Sequence, residues 1–385
     1  MADASLFYTP VDPAIAESHC YDVLIVGAGP AGSSAAYHLA RQGADILLLD
    51  RYTFPRDKSC GDAVMPPALE ELALSGLSDR LHDQYAYATH ISTSLYGLPA
   101  SYESVQPSEH FAVGYVVPRA SFDALLCQHA LQSGATWLDR VVIHSVERSN
   151  PAYAIAYGLY GGRALQLRAR IVIAADGSGS RLARQLRQEL LQQNNTAPLT
   201  APLDPRTRYT AMRGYYSGIE DLKNGLEFYF RAEAGTYYYW IFPLHDSTAN
   251  VGVIANMTQL RAAHPDLKQS IKSFLQSAGL SNRTARSELQ GKLHAAPIAS
   301  GLRDTALYGD HMLCVGDAAA LVHPLSAEGI SGALISGRLA AETALTALNA
   351  KDYTQDTLSP YGVALRERYQ VLYDGLLDGS MHWEM

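Results

Sequence analysis

The stretch Tyr21–Arg51, YDVLIVGAGPAGSSAAYHLARQGADILLLDR, decides the fold. Its apolar run Val23-Leu24-Ile25-Val26 is too short for a helix and rich in β-branched residues, so it reads as a buried parallel strand. Gly27, Gly29 and Gly32 follow in the spacing of a dinucleotide fingerprint. There one glycine permits a tight turn, the next lets backbone approach a pyrophosphate, and the third lets helix and strand pack closely. The predicted helix carries Ala31, Ala35 and Leu39 on one face and is stopped by Gly43. Its first turn offers unpaired N–H groups and the positive end of the helix dipole to an anion. A second strand, Ile46-Leu47-Leu48-Leu49, ends in Asp50, where an acid accepts hydrogen bonds from ribose hydroxyls. A chance glycine-rich turn does not reproduce all these parts in order.

Outward from that stretch, 385 residues suffice for two domains, and 48% hydrophobic with 18% charged residues is ordinary for a globular protein. A net charge of −8 without a lysine- or arginine-rich run argues against nucleic acid or an anionic membrane as the main partner. Cys20, Cys60, Cys127 and Cys314 are scattered with no C-x-x-C pair, so neither a metal site nor a disulfide framework is expected, and a reducing, cytoplasmic compartment fits. Residues 1–19 hold no lysine or arginine and no long apolar core, so they read as a loose tail rather than a secretory signal. No stretch reaches the ~18 apolar residues of a membrane span.

After Asp50, Lys58-Ser59-Cys60-Gly61-Asp62 forms a loop before a helix starting near Pro66-Pro67. Polar and apolar residues alternate from about Gln84 to Val113, which is sheet-like. Arg119 opens a helix carrying Leu125, Leu126 and Ala130; such an arginine is as often a solvated surface group as a ligand-binding one. Val141-Val142-Ile143 reads as a strand, and a hairpin-like turn at Gly161-Gly162 leads to the strand Ile171-Val172-Ile173-Ala174. That strand runs into Asp176-Gly177, at an edge where ligands bind in open α/β sheets, with an ordinary Asp-Gly turn as the weaker alternative.

A polar, proline-rich linker spans residues 192–205, and an aromatic stretch follows to Asn256, including Tyr238-Tyr239-Trp240-Ile241-Phe242-Pro243. Its alternation predicts an antiparallel sheet, one face of which packs on core or lines a pocket for a flat or greasy ligand. Met312-Leu313-Cys314-Val315 is a short buried strand breaking into Gly316-Asp317. The helix after Gly329-Ile330 carries Gly332, Ala333, Ser336, Gly337 and Ala340, small enough for close approach of backbone or cofactor. A last helix aligns Leu365, Tyr369, Leu372 and Leu376; its polar face is not basic, so docking on its own protein is favoured over membrane binding.

The fingerprint at Gly27–Gly32, Arg119, Asp176-Gly177 and Gly316-Asp317 with Pro324 together resemble the single-component FAD enzymes of the p-hydroxybenzoate hydroxylase fold. The resemblance implies an α/β Rossmann-type FAD-binding domain over 20–83, 111–190 and 296–350. An inserted antiparallel substrate domain would span 84–110 and 200–295, with C-terminal helices over 351–385. By the same resemblance Gly27, Gly29, Ala31, Gly32, Asp50, Arg51, Gly61, Arg119, Val142, Asp176, Gly316, Asp317, Gly329 and Ile330 would bind FAD. Within that superfamily, Lys58-Ser59-Cys60-Gly61-Asp62, the Y-x-W-x-F-P run and Ala327-Glu328-Gly329-Ile330 are similar to the geranylgeranyl reductase family, including its polyprenyl and menaquinone reductases. Two departures stand out: Ala320 occupies a usual glycine, and Ala63-Val64 replaces glycine-leucine.

That family implies a prenyl-lipid substrate, held by Tyr238, Trp240, Phe242 and Pro243, with Cys60, Tyr238 and Trp240 as catalytic candidates. An isolated alkene has no carbonyl to polarise it, so its reduction requires hydride from flavin, a proton and a pocket without water. Cys60, Tyr238 and a trapped water are the candidate proton sources, with a buried structural thiol as the plainer reading of Cys60. With one nucleotide fingerprint present, either NAD(P)H docks transiently or a protein electron donor serves, and peripheral membrane contact is compatible with such a substrate. The competing readings are a flavin-dependent monooxygenase or halogenase on the same fold, and an FAD-binding electron relay. No lysine lies between Lys58 and Lys223, where the halogenases carry theirs, which disfavours halogenation.

Overall fold

The computed structural model describes residues 9–82, 85, 87–88, 90–95, 114–192, 208–230, 238–244, 247–256, 266–300, 306–323 and 326–378. The chain divides into two compact units, one of residues 1–56, 120–204 and 299–385 and the other of residues 57–119 and 205–298. Residues 57–83 and 111–119, assigned by sequence to the nucleotide domain, thus fall in the second unit. Backbone pairing is the reason: β3 (Ala63–Val64), β4 (Tyr87–Ala88) and β6 (Gly114–Val116) form their own small sheet in the order β3-β6-β4.

The first unit begins with α1 (Pro13–Ser18), where the Asp12 carboxylate accepts the Ala14 N–H and Glu17 pairs with Arg163. The expected loose tail is therefore ordered in this part; residues 1–8 lie outside the described residues. Next come β1 (Cys20–Val26), α2 (Pro30–Ala40) and β2 (Ile46–Leu49). After the excursion into the second unit, α5 (Arg119–Gln132), β7 (Thr136–Leu138), β8 (Val141–Glu147), β9 (Ala154–Tyr160) and β10 (Arg163–Ala174) follow. The unit closes with β16 (Tyr308–Gly309), β17 (Met312–Cys314) and two long helices, Ile330–Ala350 and Gln355–Asp378.

Its main sheet runs β16-β17-β10-β1-β2-β7, with β17, β10, β1, β2 and β7 parallel. Val23–Val26 lie between Ile171–Ala174 and Ile46–Leu49, which explains their unbroken apolar character: both faces are buried. The sequence reading missed β9, which with β10 makes the hairpin turned by Gly161 and Gly162, both at positive φ as a type I′ turn requires. The Ile330–Ala350 helix lies against α2. Ser34 Oγ donates to the Leu334 carbonyl at 2.8 Å, and a Cβ on Gly337 would collide with the Ala31 carbonyl oxygen. At Gly337, then, the close neighbour is backbone. In the last helix Leu365 is buried and the Tyr361 hydroxyl donates to the Cys314 carbonyl at 2.5 Å; the side chains of Leu372 and Leu376 lie outside the described residues.

In the second unit α3 (Pro66–Leu74) starts at the predicted prolines and α4 (Ser78–His82) follows. The alternating stretch supplies β5 (His90–Leu95); residues 96–113 lie outside the described residues, as do 193–205 of the expected linker. The larger sheet contains β11 (Arg208–Ser217), β12 (Gly225–Phe230), β13 (Tyr238–Pro243), β14 (Ala249–Asn256) and β15 (Glu288–Ala299). Its order is β15-β11-β14-β13-β12-β5, with β5 and β12 parallel and β11, β12, β13 and β14 antiparallel to their neighbours in that group.

The period-two alternation of these strands divides the sheet's two faces. Tyr216, Tyr229, Tyr239, Ile241, Val251 and Val253 pack into a core with Ile271 and Phe274 of the Leu267–Leu275 helix, where the Tyr239 and Phe274 rings stack at 4.4 Å. Arg213, Tyr215, Phe228, Tyr238, Trp240, Phe242 and Asn250, of opposite parity, are not part of that core.

Candidate active site

In the first unit the fingerprint makes a backbone cradle. Gly27 sits at φ +110°, and a Cβ on it would collide with the Ala175 carbonyl. A Cβ on Gly32 would in turn collide with the Gly27 carbonyl oxygen, so turn, helix and the Ala175-Asp176 strand end close on one another only without side chains. Gly29 differs. A Cβ there would meet only the Arg56 guanidinium at 3.7 Å, and as the residue preceding α2 it gives the helix no side-chain cap. The protein itself leaves this space open.

Asp50 is buried at the end of β2. Its Oδ2 accepts the Ala28 N–H at 3.0 Å and an Arg56 N–H at 3.4 Å, while among the described residues Oδ1 accepts only the Tyr52 N–H, leaving capacity for a hydroxyl donor. Asp176, beside Gly27, accepts the Arg181 N–H through Oδ2; its buried Oδ1 has no hydrogen-bond partner among the described residues, and burial pushes its pKa up. Gly316 donates its N–H to Ser336 Oγ at 2.9 Å and, at φ +58°, lies so close to Ala31 that a Cβ would approach the alanine methyl to 2.9 Å. Asp317 follows, its Oδ1 close to Gly329.

The Glu328 carboxylate accepts the Ser331 N–H at 2.8 Å, so one N–H of the Ile330–Ala350 first turn is already engaged; burial pushes the Glu328 pKa up. Ala320, where glycine was expected, holds the left-handed conformation at φ +55° that explains the usual glycine. Arg51 is exposed, its guanidinium over the Tyr52 ring at 5.1 Å, and Val142 is 40% exposed on β8.

The open face at Gly29, the unpartnered Asp176 Oδ1 and the spare Asp50 lone pair fit a dinucleotide that brings phosphates and ribose hydroxyls.

In the second unit two distant segments meet. A Cβ on Gly61 would come within 2.9 Å of Phe242 Cε2 and 3.5 Å of Trp240 Nε1, so the cysteine-glycine loop packs against the Y-x-W-x-F-P strand. The Phe228 ring lies 5.0 Å from that of Phe242 and 5.5 Å from that of Tyr238. Trp240 lies across β14 and needs Gly252 beneath its indole, where a Cβ would collide with the ring. Pro243 closes the strand. Cys60 is half-buried; burial raises its pKa, with the Arg119 charge opposing. Arg119 is 3% exposed, which removes the solvated-surface reading.

Sequence reading quoted Asp62 only as part of the loop, yet it is the centre of this cluster. It is fully buried at φ +67°, and its Oδ2 accepts both the Tyr215 hydroxyl at 2.7 Å and Asn250 Nδ2 at 2.9 Å. Asn250 Nδ2 also donates to the Cys60 carbonyl at 2.8 Å, and Asn250 Oδ1 accepts Trp240 Nε1–H at 2.9 Å. Arg213, 1% exposed, pairs with Asp57, donates to the Lys58 carbonyl at 2.9 Å and stacks over Tyr215 at 4.5 Å. Asp62 Oδ1 is buried with no hydrogen-bond partner among the described residues. Burial pushes its pKa up to about 6, with Arg213 the main opposing influence, and burial likewise raises Tyr215. No side-chain spacing marks this network, because Asp62 and its partners are 153 and 188 positions apart.

Fold and cradle define a flavoprotein of the Rossmann type. Residues 20–348 match the FAD binding domain family. The chain is 34% identical over 333 residues to a menaquinone reductase of Mycobacterium tuberculosis, covering 83% of this chain and 76% of the relative. It is 30% identical over 349 residues to digeranylgeranylglycerophospholipid reductase 1 of Methanothermobacter thermautotrophicus, covering 90% and 82%. Among solved structures, a geranylgeranyl bacteriochlorophyll reductase-like protein from Thermoplasma acidophilum superposes with a TM-score of 0.80 at 23% identity, over 93% of this chain and 86% of that one. A flavin-dependent brominase superposes with 0.75 at 20% identity, over 92% and 86%, and so shares the fold. The chain belongs to the FAD binding domain family and, within it, to the group of geranylgeranyl-type and menaquinone reductases; it is an FAD-dependent oxidoreductase.

Among the described residues no helix is long and apolar enough to cross a membrane, and no His, Cys, Asp and Glu cluster could hold a metal ion.

Proposed function

We propose that this protein reduces isolated carbon–carbon double bonds in a prenyl lipid. One observation carries the reading: β13 gives Tyr239 and Ile241 to the core but turns Tyr238, Trp240 and Phe242 to the other face, where Trp240 and Phe242 meet Gly61 of the cysteine-glycine loop. An aromatic face of this kind binds a greasy chain and tolerates transient positive charge on carbon. Bound FAD supplies the hydride. Gly27, Gly29, Gly32, Asp50, Asp176, Gly316 and Asp317 would hold its phosphates and ribose, with Ala31, Arg51, Gly61, Arg119, Val142, Gly329 and Ile330 completing the contacts. Trp240, fixed by Asn250, and Phe242 orient the chain, while Tyr238 and Pro243 help exclude water. NAD(P)H docking transiently, or a protein electron donor, restores the reduced cofactor, and the lipid substrate implies contact with a membrane surface.

The decisive experiment reduces the purified flavoprotein under anaerobic conditions and adds geranylgeranyl lipid or menaquinone. Reoxidation of the flavin with a product two hydrogens heavier per bond is the expected result. A product one oxygen heavier, formed only with oxygen uptake, would instead identify a monooxygenase.

A further inference from the structure

We propose that Asp62 is the proton source of this reduction, its Oδ1 holding the proton that ends on a substrate carbon. The inference rests on the alkene-reductase reading above. Oδ2 accepts two hydrogen bonds, as the carbonyl oxygen of a neutral acid does, whereas Oδ1 is buried with no donor to solvate a negative charge. A protonated Asp62 resolves that imbalance, because Oδ1 then carries the hydrogen and needs no donor. The left-handed backbone at φ +67° and the Asn250 amide, which donates to Asp62 and accepts the Trp240 indole N–H, hold the carboxyl, while the neighbouring Gly61 packs on Phe242 and Trp240.

The charged and titratable groups facing it are Arg213 and Tyr215 on β11, Arg119 at the start of α5, and Cys60 in its own loop. Arg213 is already engaged by Asp57 and the Lys58 carbonyl. A carboxyl with a pKa of about 6 is also a stronger acid than a thiol or phenol whose pKa burial has raised, as for Cys60 and Tyr215. In the step, the Oδ1–H bond breaks and the alkene π pair forms a C–H bond to that proton. The other alkene carbon takes hydride with its electron pair from the reduced cofactor, which is oxidised. The Asp62 carboxylate then recovers a proton from water.

Asp62→Asn keeps an oxygen for Tyr215 and Asn250 but cannot give up a proton. In the holoprotein it should lower geranylgeraniol-dependent flavin reoxidation by at least about 100-fold while leaving FAD content and ferricyanide reoxidation unchanged. Infrared titration supplies a readout independent of turnover. The wild type should show a protonated-carboxyl band, absent in Asp62→Asn, that disappears as pH rises through about 6. Tyr215→Phe removes a bond that favours the carboxylate, so it should move that midpoint upward.

Turnover of Asp62→Asn within threefold of wild type, or an ionised Asp62 at about pH 5, would overturn the inference. Should Asp62→Asn fail to fold, an unmoved midpoint in Tyr215→Phe overturns it equally. A wild type that shows the band but reduces no prenyl substrate brings down the reductase reading itself, and the proton's destination with it.

Discussion

The nucleotide cradle of the first unit and the aromatic face of the second are built by opposite means. The cradle is made by removing side chains: Gly27 and Gly32 work because a Cβ would strike a carbonyl, and its polar contacts come largely from backbone N–H groups. The aromatic face is made by side chains, Tyr238, Trp240 and Phe242, tied through Asn250 to Asp62. Backbone sites tolerate almost nothing at their closest approaches, whereas side-chain sites degrade by degrees. On the proposed reading the cradle holds the cofactor and the aromatic face meets the substrate.

The largest effect should come from Gly32→Val, which overpacks the cradle and should cost at least about 3 kcal/mol of stability, leaving no flavin in any recovered protein. Gly29→Val sharpens the contrast, because the free chain leaves room there. It should lose FAD while the apoprotein's thermal midpoint stays at the wild-type value. Full flavin occupancy in Gly29→Val would place the cofactor elsewhere.

Next come the two faces of β13. Tyr239→Ala opens a cavity in the core and should cost ~3–5 kcal/mol, read from denaturant unfolding. Trp240→Ala should retain FAD and more of the stability, yet lose at least about tenfold in turnover, ~1.4 kcal/mol in the transition state. Equal stability losses without a selective loss of turnover would make both faces core.

A third, smaller effect is pH-dependent. The folded-state pKa of Asp62 lies at about 6, above its ordinary 3.8, so the native state binds this proton more tightly than the unfolded chain. Its burial carries no ionisation penalty below the unfolded value. As pH rises from about 4 through 6 the penalty grows to ~3 kcal/mol and then stays constant. Asp62→Asn should therefore match wild-type stability near pH 4 and exceed it by up to that amount at pH 8, as denaturant titrations at the two values will show.

The smallest change is Ala320→Gly, which relieves a left-handed alanine in the first unit and should raise stability by about 1 kcal/mol or less, the unfolded chain's added freedom offsetting part of the gain.

Legibility followed the same division. The cradle could be read from sequence because each constraint is local and leaves a residue-type mark: β-branched runs for buried parallel strands, glycines at close approaches, an acid at the strand end. The Y-x-W-x-F-P strand was visible as a strand, but its two faces were not, since aromatic residues occupy both. Asp62 carried no signal of its own. Its environment comes from Tyr215 and Asn250, joined to it only by long-range pairing, and an acid beside a glycine looks like any turn. The hairpin arm β9 escaped for a related reason: its alternation of small and large residues, AIAYGLY, lacks the β-branched run that marked its neighbours.

Gly252 has a consequence for how such an enzyme changes over generations. Its missing side chain is the floor on which the Trp240 indole rests. Glycine and alanine codons differ by a single base, so the tryptophan is always one mutational step from eviction. On the proposed reading of Trp240 as a substrate contact, Gly252→Ala alone would reshape that surface without touching the motif that defines the strand.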